Sequence, residues 1–262
     1  MKRLLAFTLS ALLLCPMTAF GAQTEEAKAV YQEVLAKSQT TSDMNAYYDM
    51  TVHMSGDLFK ELEMDSMDMR IEMNARFQNM TNPAQMRYQT FTRMSMPEQQ
   101  PMEYSMYYGD GYCYMDMLGQ KVKYPMDLES VMEQALSTSK MFETSTDYFK
   151  DLTLRTEGDS RILSYTMDDA MLNDYMKAVL DASGMDAMLD QMSFTVSNIS
   201  GEYIVNPDGY YTKANVKMDM TMTMMGETIN ASVVADVGIA DPGQPVVINV
   251  PNPGEYTEQP LE

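Results

Sequence analysis

The feature that most constrains this chain is strict two-residue alternation of methionine with polar residues. Tyr48, Met50, Val52 and Met54 alternate with Asp49, Thr51, His53 and Ser55. Met67, Met69, Ile71 and Met73 alternate with Asp68, Arg70, Glu72 and Asn74, and Met86, Tyr88, Met94 and Met96 continue the theme with more interruptions. Successive side chains on a strand point to opposite faces, so such segments fit an antiparallel sheet with one dry and one wet face.

Two hairpins follow from the same pattern. An Asp110-Gly111 turn pairs Met106 with Met115 and Tyr104 with Met117, keeping apolar residues opposite one another. A Gly226-Glu227 turn is expected to pair Met224 with Ile229, Met222 with Ala231, Met220 with Val233 and Met218 with Ala235. Its other face would set Lys217 against Asp236 and Thr221 against Ser232. The Asn206-Pro207-Asp208-Gly209 turn would bring Glu202 opposite Lys213 and Ile199 opposite Val216. Upstream the apolar phase changes from even (Met192, Phe194, Val196) to odd (Ile199, Tyr203, Val205), which predicts a β-bulge near Ser197-Asn198.

Helices flank these strands. Thr24 is the expected N-cap of a helix whose stripe is Ala27, Val30, Tyr31, Val34 and Leu35. Asp127 would cap a second, over Leu128, Val131, Met132, Ala135 and Leu136. Asp168 would cap a third, over Met171, Leu172, Tyr175, Met176, Val179 and Leu180, ending at Gly184 with a further turn or two around Met185, Met188 and Leu189. Short strands are expected near Leu152–Leu154 and Ile162–Tyr165, and a last one at Val246–Val250 before a proline-rich tail that frays from about residue 251.

The N-terminus reads as a leader. Met1-Lys2-Arg3 is basic, Leu4 to Leu14 is apolar but too short to span a bilayer, and Ala19 and Gly21 are small residues at cleavage spacing. Residues 1–21 are therefore expected to be a signal peptide, and 22–262 one exported domain at the cell envelope or beyond it. Lipidation at Cys15 is the alternative, but Leu14 is larger than the residue that normally precedes a lipidated cysteine. Cys113 is then the only thiol left, so no internal disulfide can form, and it reads as a small buried hydrophobe.

The formal net charge of −20 disfavours nucleic acid and electrostatic docking on anionic membranes. One histidine leaves no Ser-His-Asp set, and there is no phosphate loop, zinc spacing or calcium loop. Neither an enzyme activity nor a cofactor is expected. Asp68 on a wet strand face and Asp168 at a helix cap account for the acidic clusters without chemistry. The tyrosine cluster (Tyr104, Tyr107, Tyr108, Tyr112, Tyr114, Tyr124) could stack on a sugar, but no tryptophan supports it, and tyrosines alternating on adjacent strands are ordinary sheet packing.

The Met106–Asp116 segment, the hairpin from Met218 to Val237 and the terminal Val246-Val247-Ile248-Asn249-Val250-Pro251 resemble an uncharacterised family of Met-rich secreted proteins and lipoproteins of Gram-positive bacteria. That family in turn resembles the outer-membrane lipoprotein carriers and the mycobacterial lipid-carrying lipoproteins. The resemblance implies an α+β fold, an antiparallel incomplete β-barrel (half-barrel) wrapped around a few α-helices with a hydrophobic cavity between them. It carries no catalytic residues.

Sheet cores normally use Val, Ile and aromatic residues, whereas this chain has 31 Met. Methionine is flexible and polarisable, which suits a packed core, a mouldable cavity wall or soft-metal binding such as Cu(I). The expected ligand-binding wall is Met50, Val52, Met54, Met69, Ile71, Met73, Tyr104, Met106, Met115, Met117, Met220 and Met222. Its expected partner is a lipid or other hydrophobic small molecule. The competing reading is an envelope interaction or sensor module that recruits a protein partner without a stable ligand; metal ligands are not assigned.

Overall fold

The computed structural model describes residues 22–61, 63–127, 149–182, 192–224 and 226–259. The expected leader, the helix after Asp127 and the end of the third helix near Gly184 lie outside these residues. Strand β1 (Ala22–Gln23) leads into α1 (Glu25–Gln39), capped by Thr24, whose Oγ1 accepts the Ala27 N–H at 3.1 Å. A meander follows: β2 (Met44–Gly56), the single turn α2 (Asp57–Glu61), β3 (Ser66–Gln78), β4 (Arg87–Ser95), β5 (Met102–Gly109), β6 (Tyr112–Met117) and β7 (Gln120–Pro125). After it come β8 (Phe149–Glu157), β9 (Ser160–Met167), α3 (Asp169–Ala182), β10 (Met192–Val205), β11 (Tyr211–Met224), β12 (Glu227–Ala240) and β13 (Thr257–Glu258).

All strands join one 13-stranded sheet ordered β1-β8-β9-β10-β11-β12-β2-β3-β4-β5-β6-β7-β13. It is antiparallel except for the two-residue pairs β1–β8 and β7–β13 at its edges. The ends do not pair with each other, so the sheet stays open. The architecture is α+β and consistent with an open half-barrel. The two meanders meet through β12 and β2, where Val233 faces Val52 and Val237 faces Tyr48.

The helices lie on one side of the sheet, called here the inner face. Ala27, Val30, Tyr31 and Val34 of α1 are buried with Leu152, Leu163, Tyr203, Val205 and Val237, while Met171 and Leu172 of α3 pack at the border of that cluster. Asp168 caps α3, its Oδ1 accepting the Ala170 and Met171 N–H groups at 3.0 and 3.1 Å.

The Asp110-Gly111 hairpin has the expected register, and both turn residues have positive φ, as a tight two-residue hairpin needs. The bulge is also where expected: the β10–β11 register shifts between Ser197 and Ser200, with Asn198 at φ 56°.

The closing hairpin differs. Met224 pairs with Glu227, and Gly226 just before it takes φ 90°. Met222 therefore faces Ile229, Met220 faces Ala231 and Met218 faces Val233, while Lys217 faces Val234 rather than Asp236. This is a two-residue slip from the expected register. A slip of two keeps every side chain on its own face, so alternation cannot detect it. Local hydrogen bonds favour the observed register: Ser232 Oγ donates to Asp219 Oδ1 at 2.6 Å, and Asn215 Nδ2 to Asp236 Oδ1 at 3.0 Å.

The Asn206–Gly209 turn forms, but its strands are also offset. Glu202 faces Asn215 and Ile204 faces Lys213; Val216 faces Gly201, leaving Ile199 inside the bulge. An irregularity between Ile204 and Val205 absorbs the difference.

The expected strand at Val246–Val250 is absent. Prolines at 245 and 251 bracket it, and the Val246 N–H is donated to Asp43 Oδ2 at 2.8 Å instead of to a neighbouring strand. Nor do residues 252–259, the described part of the expected tail, fray. They make a 3-10 turn over Pro253–Glu255 and pair through β13 with Val122 and Lys123. This strap crosses the outer face, where Ile248 packs with Tyr107 and Tyr114, and Lys121 reaches Glu255 at 2.6 Å.

Candidate functional site

Alternation puts the charged side chains of the central strands on the outer face. Arg70 grips Asp49 with two hydrogen bonds of 2.8 and 2.6 Å, and His53 Nδ1 lies 2.7 Å from Asp68 Oδ1. The Arg70 guanidinium holds the Asp49 carboxyl below the usual carboxylate range, against a smaller opposing effect of burial. His53 is thus on the side of the sheet away from the methionines, as expected. No group of three or more His, Cys, Asp or Glu residues that could hold a metal ion occurs among the described residues.

All twelve residues proposed from the sequence as a binding wall share the inner face. The register connects them row by row. Met220 faces Ala231, which faces Met54, which faces Met67; Val233, Val52 and Met69 form the next row. Met50 faces Ile71, and Ile71 faces Met94. Met73 faces Thr92, Thr92 faces Tyr104, and Tyr104 faces Met117; Met106 faces Met115. Met222, opposite Ile229, completes the set. From β11 to β6 this surface crosses seven strands, about 29 Å at the usual spacing of roughly 4.8 Å. Met67, Met94, Met102 and Met218 share this face too, although the sequence-based wall omitted them. The alternation that placed the others was already visible around these four.

Burial is graded along the strands. At the end nearest Met44 the face is filled: Ala75, Phe77, Met86, Tyr88, Tyr108 and Cys113 form a buried cluster. Within it the Tyr88 hydroxyl donates to Met106 Sδ at 3.2 Å and lies 4.0 Å from Cys113 Sγ. Burial pushes the Cys113 thiol up to about 11, so it is the inert small hydrophobe expected.

Away from that end the face is less completely filled, although Met106 packs against the Tyr88 cluster and Met220 against the α1 cluster. Val52 is buried, but Met50, Met54, Met69, Ile71, Met73, Tyr104, Met106, Met115, Met220 and Met222 are only half-buried. Met117 and Met102 at the rim are 48% and 41% exposed. The sequence-based wall thus contains one true core residue and eleven side chains that the described fold leaves partly uncovered. A separate open recess of about 350 Å³, lined by Asn45, Arg76, Asp241, Gln244 and Val246 among others, lies where the strap leaves β12. Asn45 and Arg76 are out of phase with the methionines, so that recess belongs to the outer face.

A family model matches residues 27–252. The chain belongs to DUF6612, a family of unknown function. Among solved structures, this DUF6612 chain is similar to the Mycobacterium tuberculosis lipoprotein LppX. The two are 11% identical with a TM-score of 0.38, over 86% of this chain and 98% of that one. It is also similar to a beta-barrel-like protein of the domain of unknown function DUF1849 from Brucella abortus, at 12% identity and a TM-score of 0.24. That match covers 77% of this chain and 99% of the other. Neither likeness is close enough to assign this chain a ligand. No curated protein matches its sequence. No helix among the described residues is long and apolar enough to cross a membrane.

Proposed function

We propose that this protein is an exported, non-enzymatic binding protein that holds a hydrophobic ligand, such as a lipid, against its methionine-lined inner face. One observation carries the reading: half-buried methionines recur on six of the seven neighbouring strands from β11 to β6, on the side where the helices pack. Covering such surface gains about 25 cal/mol per Å² of apolar area. Methionine adapts its rotamers to an irregular guest better than a branched side chain does. The same property would make a poorly specified core, so the half-exposure matters more than the composition.

Export rests on the basic-apolar-small leader pattern of residues 1–21. Its direct check is the intact mass of the mature protein, which should begin near Ala22 or Gln23. A diacylated N-terminus at Cys15 would instead make it a membrane-anchored lipoprotein.

The binding reading is tested by native mass spectrometry of protein purified from its own host, followed by solvent extraction. A co-purifying lipid or other apolar small molecule is expected. Protein that is empty and takes up no fluorescent apolar probe in vitro would overturn the reading and favour an interaction module at the envelope.

A further inference from the structure

We infer that the inner face selects uncharged long-chain ligands, such as alkanols and alkyl esters, over anionic ligands of the same chain length. This rests on the binding reading above and adds the chemistry of the guest. Basic residues of the central strands alternate away from the site: Arg70, Arg76, Arg93, Lys121, Lys123 and Lys217 are all out of phase with the methionines. Between Val216 on β11 and Cys113 on β6, inner-face positions carry apolar side chains, tyrosines, Thr90 or Thr92. Glu227, in the terminal pair of the β11–β12 hairpin, is the one acid in phase with them among the described residues. A carboxylate or sulfate drawn onto this surface would lose water and gain no cation from its described strands, which disfavours burying it. The net charge of −20 repels the same groups before contact.

Two half-buried tyrosines lie on this face between β11 and β6, and Tyr48 packs against both buried clusters, which leaves Tyr104 as the polar contact of the half-open part. Tyr104 is half-buried and sits directly across the ladder from Thr92, which is 2% exposed. A phenol both donates and accepts hydrogen bonds without carrying charge near neutral pH, which matches a hydroxyl or an ester carbonyl. Tyr104 is therefore assigned as the polar anchor of the guest, with the methionines around it taking the chain.

The test is competition by dodecanol, methyl laurate, dodecane and laurate against a bound fluorescent apolar probe on the full mature chain. At about pH 8 laurate is fully ionised. Dodecanol and methyl laurate should displace the probe at concentrations about tenfold or more below laurate. That order should survive added salt, because lost hydration rather than distant charge sets it. Equal or tighter binding of laurate would overturn the selectivity while leaving the binding reading intact. Failure of the probe itself to bind would overturn the binding reading. In Tyr104→Phe the advantage of dodecanol over dodecane should shrink several-fold, with the rank of laurate unchanged; an unaltered dodecanol-to-dodecane ratio would overturn the role of Tyr104.

Discussion

Replacing Asn173 tests how α3 is fixed to the sheet. Strand β9 ends at Met167, and its pairing with β10 reaches only to Ser200, so the first half of β10 has no strand on that side. Asn173 fills the place of one. Its Oδ1 accepts the Val196 N–H at 2.8 Å, and its Nδ2 donates to the Val196 carbonyl at 2.7 Å. Val196 is 3% exposed, so both backbone groups depend on this amide. Asn173→Ala strands a buried donor and a buried acceptor, each worth about 1–3 kcal/mol. Because the hydrogen bonds are only part-buried, the lower half of the combined range applies, about 2–4 kcal/mol. Asn173→Asp keeps the acceptor but turns a carboxylate on the Val196 carbonyl, and should cost as much above about pH 4. Urea denaturation at constant slope would read the loss, and amide exchange at Val196 would locate it. A change under about 0.5 kcal/mol with unaltered Val196 exchange would refute the reasoning.

Enlargement of the half-open face should be tolerated: Met69→Phe should change stability by less than about 1 kcal/mol while weakening probe uptake, whereas a close-packed site would lose about 1–3 kcal/mol. Cys113 should resist thiol reagents in the folded mature protein and react fully in denaturant; fast labelling of native protein would contradict its burial. Stability should hold from neutral pH down to about pH 4 and fall below it. Arg155 and Ser164 hold Glu202 below its ordinary range, and Ser232 and Asn198 do the same for Asp219. For Asp43, burial pushes upward, but the Val246 and Asn79 N–H groups and the Ser42 hydroxyl outweigh it. Groups with depressed folded values stabilise above their unfolded range and lose that contribution as pH falls through the folded value; melts that sharpen toward pH 3 would contradict this. Asp43→Asn should loosen the C-terminal strap by turning an amide donor or a weaker acceptor on the Val246 N–H, read as faster proteolysis after Ala240 with the core intact. Unchanged proteolysis would show that the β13–β7 pairing, the Ile248 packing and the Lys121–Glu255 and Lys123–Glu258 contacts hold the strap without Asp43.

The sequence by itself determined which face each strand residue occupies. Period-two alternation is a property of the backbone pleat, so Met50, Met69, Met106 and Met220 could be set on one face before any pairing was known. It also determined the turn at Asp110-Gly111, the caps at Thr24 and Asp168 and the bulge beside Asn198, because each is a local hydrogen-bonding or φ requirement. Register was less legible. The closing hairpin and the strands around Asn206 both sit two residues from the alignment that best matched charges, since even slips leave faces unchanged and the turn geometry decides between them. Only the tertiary structure decided how far the methionine face is filled. The packing of α1 across β8 to β12, the buried end around Tyr88 and Cys113 and the exposed rim at Met102 and Met117 depend on contacts between segments far apart in the chain. Hydrophobic pattern records which side of a strand avoids water, but not how much protein lies above it.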